Sequence, residues 1–171
     1  MVTRRQAREW AVMMLCGCDL NPPADLDSAL ALFWEQQEGL ERERMDSGEF
    51  GAKEAFTAKG RRNIASLAEM RAFAEERVRG VMRDREAIDA ELEPFLENWT
   101  LYRLGTVERN VLRLGAWEVS RTDSIPPPIA INEAVDLAKY FSDSQSGRFV
   151  NGVLDKFAKA HPACRRPEGA A

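Results

Sequence analysis

Apolar residues recur at steps of three and four along most of this chain, and no stretch alternates apolar and polar residues for long enough to make a strand. The pattern therefore predicts helices throughout. Ala7, Trp10, Ala11, Met14, Leu15 and Cys18 trace the first stripe, from about Arg4 to Asp19. Thr3 with Gln6 has the form of a capping box at its start, and Asn21-Pro22-Pro23 stops it. A second helix, capped by Asp25 or Asp27, carries Leu26, Ala29, Leu30 and Phe33 and fades by Gly39. From Glu38 to Gly51 charge dominates and no period is sustained, which predicts a mobile loop.

A long helix follows, with Ile64, Leu67, Met70, Ala74, Val78, Val81 and Met82 on one face. From Asp84 a further segment carries Ile88, Leu92, Phe95, Leu96 and Trp99 and breaks near Pro94. Thr106 is the expected cap of the next helix, with Glu108 well placed in its first turn. There Val107, Val111, Leu112, Leu114, Ala116, Trp117 and Val119 surround the axis, the mark of a central buried helix. Prolines 126 to 128 close the connector after it. Two amphipathic helices end the pattern, one carrying Ile131, Ala134, Val135, Ala138 and Phe141, the other Phe149, Val150, Val153, Leu154 and Phe157. Between them Ser142 to Arg148 reads as a short polar turn. The expected fold is all-α, with about seven helices.

Composition narrows the chemistry. The 171 residues suit one domain or two small subdomains sharing a core, and 44% apolar content is that of a folded protein. A net charge of −4 argues against coating nucleic acid by bulk charge, yet 19 of the 24 basic residues are Arg, the side chain suited to bidentate phosphate contact. Genome composition explains that excess equally well, so placement has to decide. The longest apolar run near the N-terminus is too short to span a bilayer, and the expectation is a cytoplasmic protein with an intact N-terminus. Cys16 and Cys18 point roughly 200° apart on a helix and cannot share a metal, Cys164 lies in the tail, and His161 is the sole imidazole. Phosphate-loop, dinucleotide, nucleophile-elbow and zinc-protease motifs are missing from the sequence. No catalytic residue, metal or cofactor is expected.

Binding is better supported. Arg4, Arg5 and Arg8 fall in the first two turns of the first helix, where the dipole disfavours cations by up to about 1 kcal/mol each. At 100° per residue all three can project from one corner as a phosphate clamp; the plainer alternative is an exposed helix with snorkelling arginines. Lys139 and Arg148 form a second basic group. Phe149 beside them either packs in the core or stacks on an unpaired base, a contact worth about 1–3 kcal/mol. Glu86, Asp89, Glu91, Glu93 and Glu97 form an acidic stripe without one Lys or Arg among them, either a solvated face or a dock for a basic partner.

Four motifs carry a family resemblance: Arg4-Arg5-Gln6-Ala7-Arg8-Glu9; Val107-Glu108-Arg109 leading to Val111-Leu112-Arg113-Leu114 and Glu118; Ala130-Ile131-Asn132-Glu133-Ala134-Val135 with Leu137-Ala138-Lys139; and Phe149-Val150-Asn151-Gly152-Val153-Leu154-Asp155. In this order and spacing they resemble the NusB family of transcription antitermination factors. The resemblance implies one domain over 1–160, made of two packed helical subdomains of about 1–83 and 84–160, ahead of a flexible tail at 161–171. It implies a non-enzymatic protein that binds boxA-like single-stranded RNA of the ribosomal leader together with the NusE ribosomal protein, within the RNA polymerase antitermination complex. The RNA side then maps onto Arg4, Arg5, Arg8, Lys139, Gln145, Arg148 and Phe149. The partner side maps onto Glu108, with Arg109, Glu91 and Glu97. A helical protein-interaction module without RNA recognition is the alternative.

Overall fold

A computed structural model describes residues 3–46 and 58–161, with side chains described for 3–39 and 67–161. Every described regular element is helical: α1 (Arg4–Leu20), α2 (Leu26–Asp46), α3 (Ala58–Leu92), α4 (Thr106–Arg121), α5 (Pro127–Phe141) and α6 (Ser144–Ala160), with single 3-10 turns at Glu93–Phe95 and Leu101–Arg103. The all-α expectation holds, with six α-helices among the described residues in place of about seven. The chain divides into two compact units within α3, between Glu76 and Arg77.

In the first unit, Thr3 caps α1 by accepting from the Gln6 N–H at 3.2 Å. Asp25 does the same for α2, accepting from the N–H groups of Asp27 and Ser28 at 3.2 and 3.0 Å. Ala7, Trp10, Ala11, Met14, Leu15, Leu30 and Trp34 are buried. Trp10 meets Trp34 edge to face with centroids 5.3 Å apart. The Trp34 indole donates to Glu75 at 2.7 Å, and the Arg71 guanidinium lies over the ring at 5.0 Å while donating to Glu38.

The loop expected from Glu38 is corrected in part: α2 runs on to Asp46, although its residues past Gly39 offer no apolar period. The rest of the expected loop, Ile64 of the expected apolar face, and the tail after 161 lie outside the described side chains.

The second unit is built around α4, whose residues Asn110 to Val119 are all buried. Around it lie Val78, Val81, Ile88 and Leu92 of α3, Ala130, Ala134, Leu137 and Ala138 of α5, and Val150, Val153, Leu154 and Phe157 of α6. Each such Val, Ile, Leu or Phe side chain contributes about 1.5–3 kcal/mol when fully buried. Two glycines set the spacing. A Cβ at Gly115 would stand 2.6 Å from Leu154 Cδ1 and 3.1 Å from Ala134 Cβ, and one at Gly80 would overlap the Trp117 ring. Gly80 is thus a notch in mid-helix, and α3 passes through it and through Asp84 without the break the sequence pattern suggests.

Ionic contacts also hold this unit together. Arg77 and Glu118, 2% and 1% exposed, pair between α3 and α4. Arg113 forks onto both oxygens of Asp89 at 2.7 and 2.8 Å and also donates to Asn110. Such geometry offsets the desolvation of the charges, so the arginines serve as core.

Candidate nucleic-acid interface

The polar turn expected over 142–148 is shorter than its composition suggests. Only Ser142 and Asp143 lie between α5 and α6, and Gln145, Arg148 and Phe149 already belong to the first turns of α6. Asp143 caps that helix, accepting from the Ser146 N–H at 2.8 Å, which holds its carboxyl below the usual range. The hydroxyls of Ser142 and Ser146 donate to Glu108 Oε1 at 2.8 and 2.7 Å. Burial pushes the Glu108 carboxyl up, and hydrogen bonds from Ser146, the helix backbone and Ser142 outweigh it, so the group titrates below an ordinary glutamate. The cap of α4 is Gly105 and not Thr106, and its bare Cα leaves room for the Glu108 carboxylate, which a Cβ there would meet.

Lys139 and Gly147 meet across the same turn. A Cβ at Gly147 would lie 2.7 Å from Lys139 Cγ, so the bare helix backbone lets the lysine stem lie on it. Lys139, Gln145 and Arg148 are exposed and Phe149 is half-buried. Among the described residues Arg148 makes no ion pair, and both acids of the turn are engaged by other donors.

At the start of α1 the arrangement differs from the expected three-arginine corner. Arg4 and Arg8 both lie over the Phe73 ring, at 5.6 and 5.2 Å, while Arg5 pairs with Glu9 at 3.1 Å. Arg8 is only 3% exposed. Arg8 is thus largely covered where it lies on the aromatic ring, and Arg4 and Arg5 are the more accessible of the three.

The NusB family model matches residues 5–159. The chain belongs to the NusB family. It is 40% identical over 169 residues to the transcription antitermination protein NusB of Anaeromyxobacter dehalogenans, covering 98% of this chain and 99% of that protein. It is 31% identical over 159 residues to the NusB of Methylacidiphilum infernorum, covering 93% and 92%. Among solved structures it resembles NusB of T. maritima (TM-score 0.68, 28% identity, 94% of this chain and 93% of that one). It also resembles a chain in the crystal structure of antitermination factors NusB and NusE in complex with dsRNA (TM-score 0.64, 28% identity, 92% and 97%).

The residues that the NusB resemblance assigns to a partner are corrected in their surroundings. The acidic stripe does have compensating cations; they come from other helices. Glu91 receives both Arg121 amino groups, at 2.8 and 2.7 Å, with His161 Nε2 at 3.5 Å. Hydrogen bonding from Arg121 holds the Glu91 carboxyl below the usual range. Glu97 pairs with Lys156, and Asp89 with Arg113. Glu86 is exposed, and Glu93 accepts from the Leu101 N–H at 3.2 Å. Arg109 donates to the carbonyls of Tyr102 and Leu104 at 3.3 and 3.2 Å, which ties down the segment before α4. Asn132 and Asn151 are exposed within their helices and cap neither.

Ser142, Ser146 and Gly147 escape a sequence reading because their partners, Glu108 and Lys139, lie elsewhere in the chain. Cys16 and Cys18 form no disulfide, and no cluster suited to a metal ion occurs among the described residues. No described helix is long and apolar enough to cross a membrane.

Proposed function

We propose that this chain is a non-catalytic, cytoplasmic RNA-binding transcription antitermination factor that binds boxA-type ribosomal leader RNA together with the NusE ribosomal protein. The reading rests on likeness along nearly the whole chain to antitermination NusB proteins, in a fold shared with a chain crystallised with NusE and RNA. Single-stranded RNA is favoured over duplex because Phe149 keeps part of its ring accessible, and a ring can stack only on an unpaired base. Arg148, Lys139, Arg4 and Arg5 supply the phosphate contacts, with Gln145 placed to hydrogen-bond. Glu108 holds the turn beside Lys139, Gln145 and Arg148 through Ser142 and Ser146, so its role in partner binding is coupled to that part of the RNA side. Arg109, Glu91 and Glu97 complete the partner surface.

About four phosphate contacts give a salt slope near −3 for a single strand. A mobility-shift titration with boxA RNA and a scrambled control, with and without NusE, tests the reading. Preferential boxA binding that NusE strengthens is the expected result. Absence of RNA binding with NusE present would sink it and leave a helical protein-interaction module.

A further inference from the structure

Trp99 is the one tryptophan of four that the fold displays. Trp10, Trp34 and Trp117 are 7%, 8% and 5% exposed, and Trp99 is 55% exposed. Its neighbours Leu96 and Leu101 are buried at 1% and 0%, so the segment is anchored on both sides of it. Between anchor and ring the backbone passes through two left-handed residues, Glu97 at φ 24° and Asn98 at φ 65°. Non-glycine residues rarely adopt that region, and it persists where the surrounding structure holds it. The chain is bent there in a way that presents an indole to solvent.

The indole faces a cavity of about 280 Å³. Phe95 and Trp99 line it from this segment, and Phe149 and Gly152 from α6, with Arg148 and Lys156 contributing the cations. Gly152 leaves open space where a Cβ would project. The volume sits near the lower end of small-ligand pockets, enough for one heterocycle and too small for a helix. Aromatic faces beside two cations suit a flat π system that carries a phosphate. An apolar peptide side chain would leave the cations unused, and an acidic one would leave the rings unused.

We propose that this pocket takes one unpaired RNA base, stacked against Trp99 and Phe149, with an adjoining phosphate held by Arg148 and Lys156. The inference rests on the RNA-binding reading above and extends its surface to Trp99, Phe95, Gly152 and Lys156. Glu97 acquires a role as competitor: its carboxylate holds Lys156 in the free protein and must yield it to the phosphate.

Tryptophan fluorescence of the full chain, titrated with a boxA-type oligonucleotide in the presence of NusE, reads this directly. The exposed indole should be quenched on binding. Trp99→Ala should abolish most of the quenching and weaken RNA binding about tenfold with an unchanged salt slope, and Trp99→Phe should restore most of the affinity. Gly152→Leu, which fills the space and touches no charge, should weaken binding similarly. Lys156→Ala should lower the salt slope by about 0.7. Glu97→Gln should strengthen RNA binding measured without NusE, where its place on the partner surface has no effect.

Unchanged affinity in both Trp99→Ala and Gly152→Leu overturns the pocket while leaving boxA binding by the parent chain intact. Loss of NusE binding by Trp99→Ala without RNA would make it a protein dock and overturn it also. Equal quenching by a free nucleoside monophosphate would assign the pocket to mononucleotides instead. A parent chain that binds no RNA removes both readings.

Discussion

The starts of α1 and α6 carry the same residue type and use it differently. At α1 the Arg4 and Arg8 guanidinium groups lie over Phe73 and Arg5 reaches Glu9. At α6 Arg148 has no ion pair among the described residues, and nearby Asp143 and Glu108 are occupied by backbone N–H and serine donors. Satisfying the acids locally leaves the cation available. Counting arginines cannot separate these cases, because what differs is whether a carboxylate or ring has already claimed the charge. The buried Arg77 and Arg113 are a third case, in which the claim is complete.

The comparison breaks most severely at that third case. Glu118→Gln removes the carboxylate that meets the buried Arg77 charge and should cost about 3–5 kcal/mol of stability, read by urea unfolding. Replacing Arg77 and Glu118 together by Met should return most of that loss. If Glu118→Gln unfolds at the parent's midpoint, burial has not made this arginine structural.

Arg8→Ala probes the intermediate case. It removes a buried side chain and its stacking on Phe73, so a loss of about 1–3 kcal/mol is expected, with the RNA salt slope unchanged. Arg148→Ala should do the reverse: unfolding within about 0.5 kcal/mol of the parent, and a salt slope smaller by about 0.7. A variant pair that moved both readouts together would erase the distinction between the two helix starts.

How far the sequence foretells this follows the same physics. α1, α4, α5 and α6 are legible because each buries a continuous stripe, with Pro22-Pro23 marking the end of α1, while the start of α6 is hidden by residues whose composition suits a turn. The end of α2 is not legible, since the sequence past Gly39 is dominated by charge and sustains no apolar period. Gly80 looks like a weak point and is a seat for Trp117, a fact that depends on a residue on another helix. In the candidate site Arg148 and Phe149 stand out through their motif. Glu108 stands out as a first-turn acid, but its hold on Ser142 and Ser146 spans more than thirty positions and leaves no local trace. The acidic stripe misleads for the same reason, its cations arriving from α4 and α6.

The smallest expected effect is a pH dependence confined to the α6 side. The Glu108 carboxyl titrates below its ordinary value of 4.5 in the folded chain. A depressed carboxylate contributes stability that is complete above the unfolded value and is lost as pH falls through the folded one. Parent and Glu108→Gln should therefore differ most above the ordinary carboxylate range and converge as pH falls through the lowered titration of Glu108, by under about 1 kcal/mol because the group is partly solvated. The stacking on Phe73 at α1 involves a ring with no proton to gain, so its contribution stays level over that range. Unfolding of the two proteins by urea between pH 3 and 7 measures the gap. A gap that widens toward acid would mean that Glu108 is held in its protonated form, and that the serines do not fix the turn through its charge.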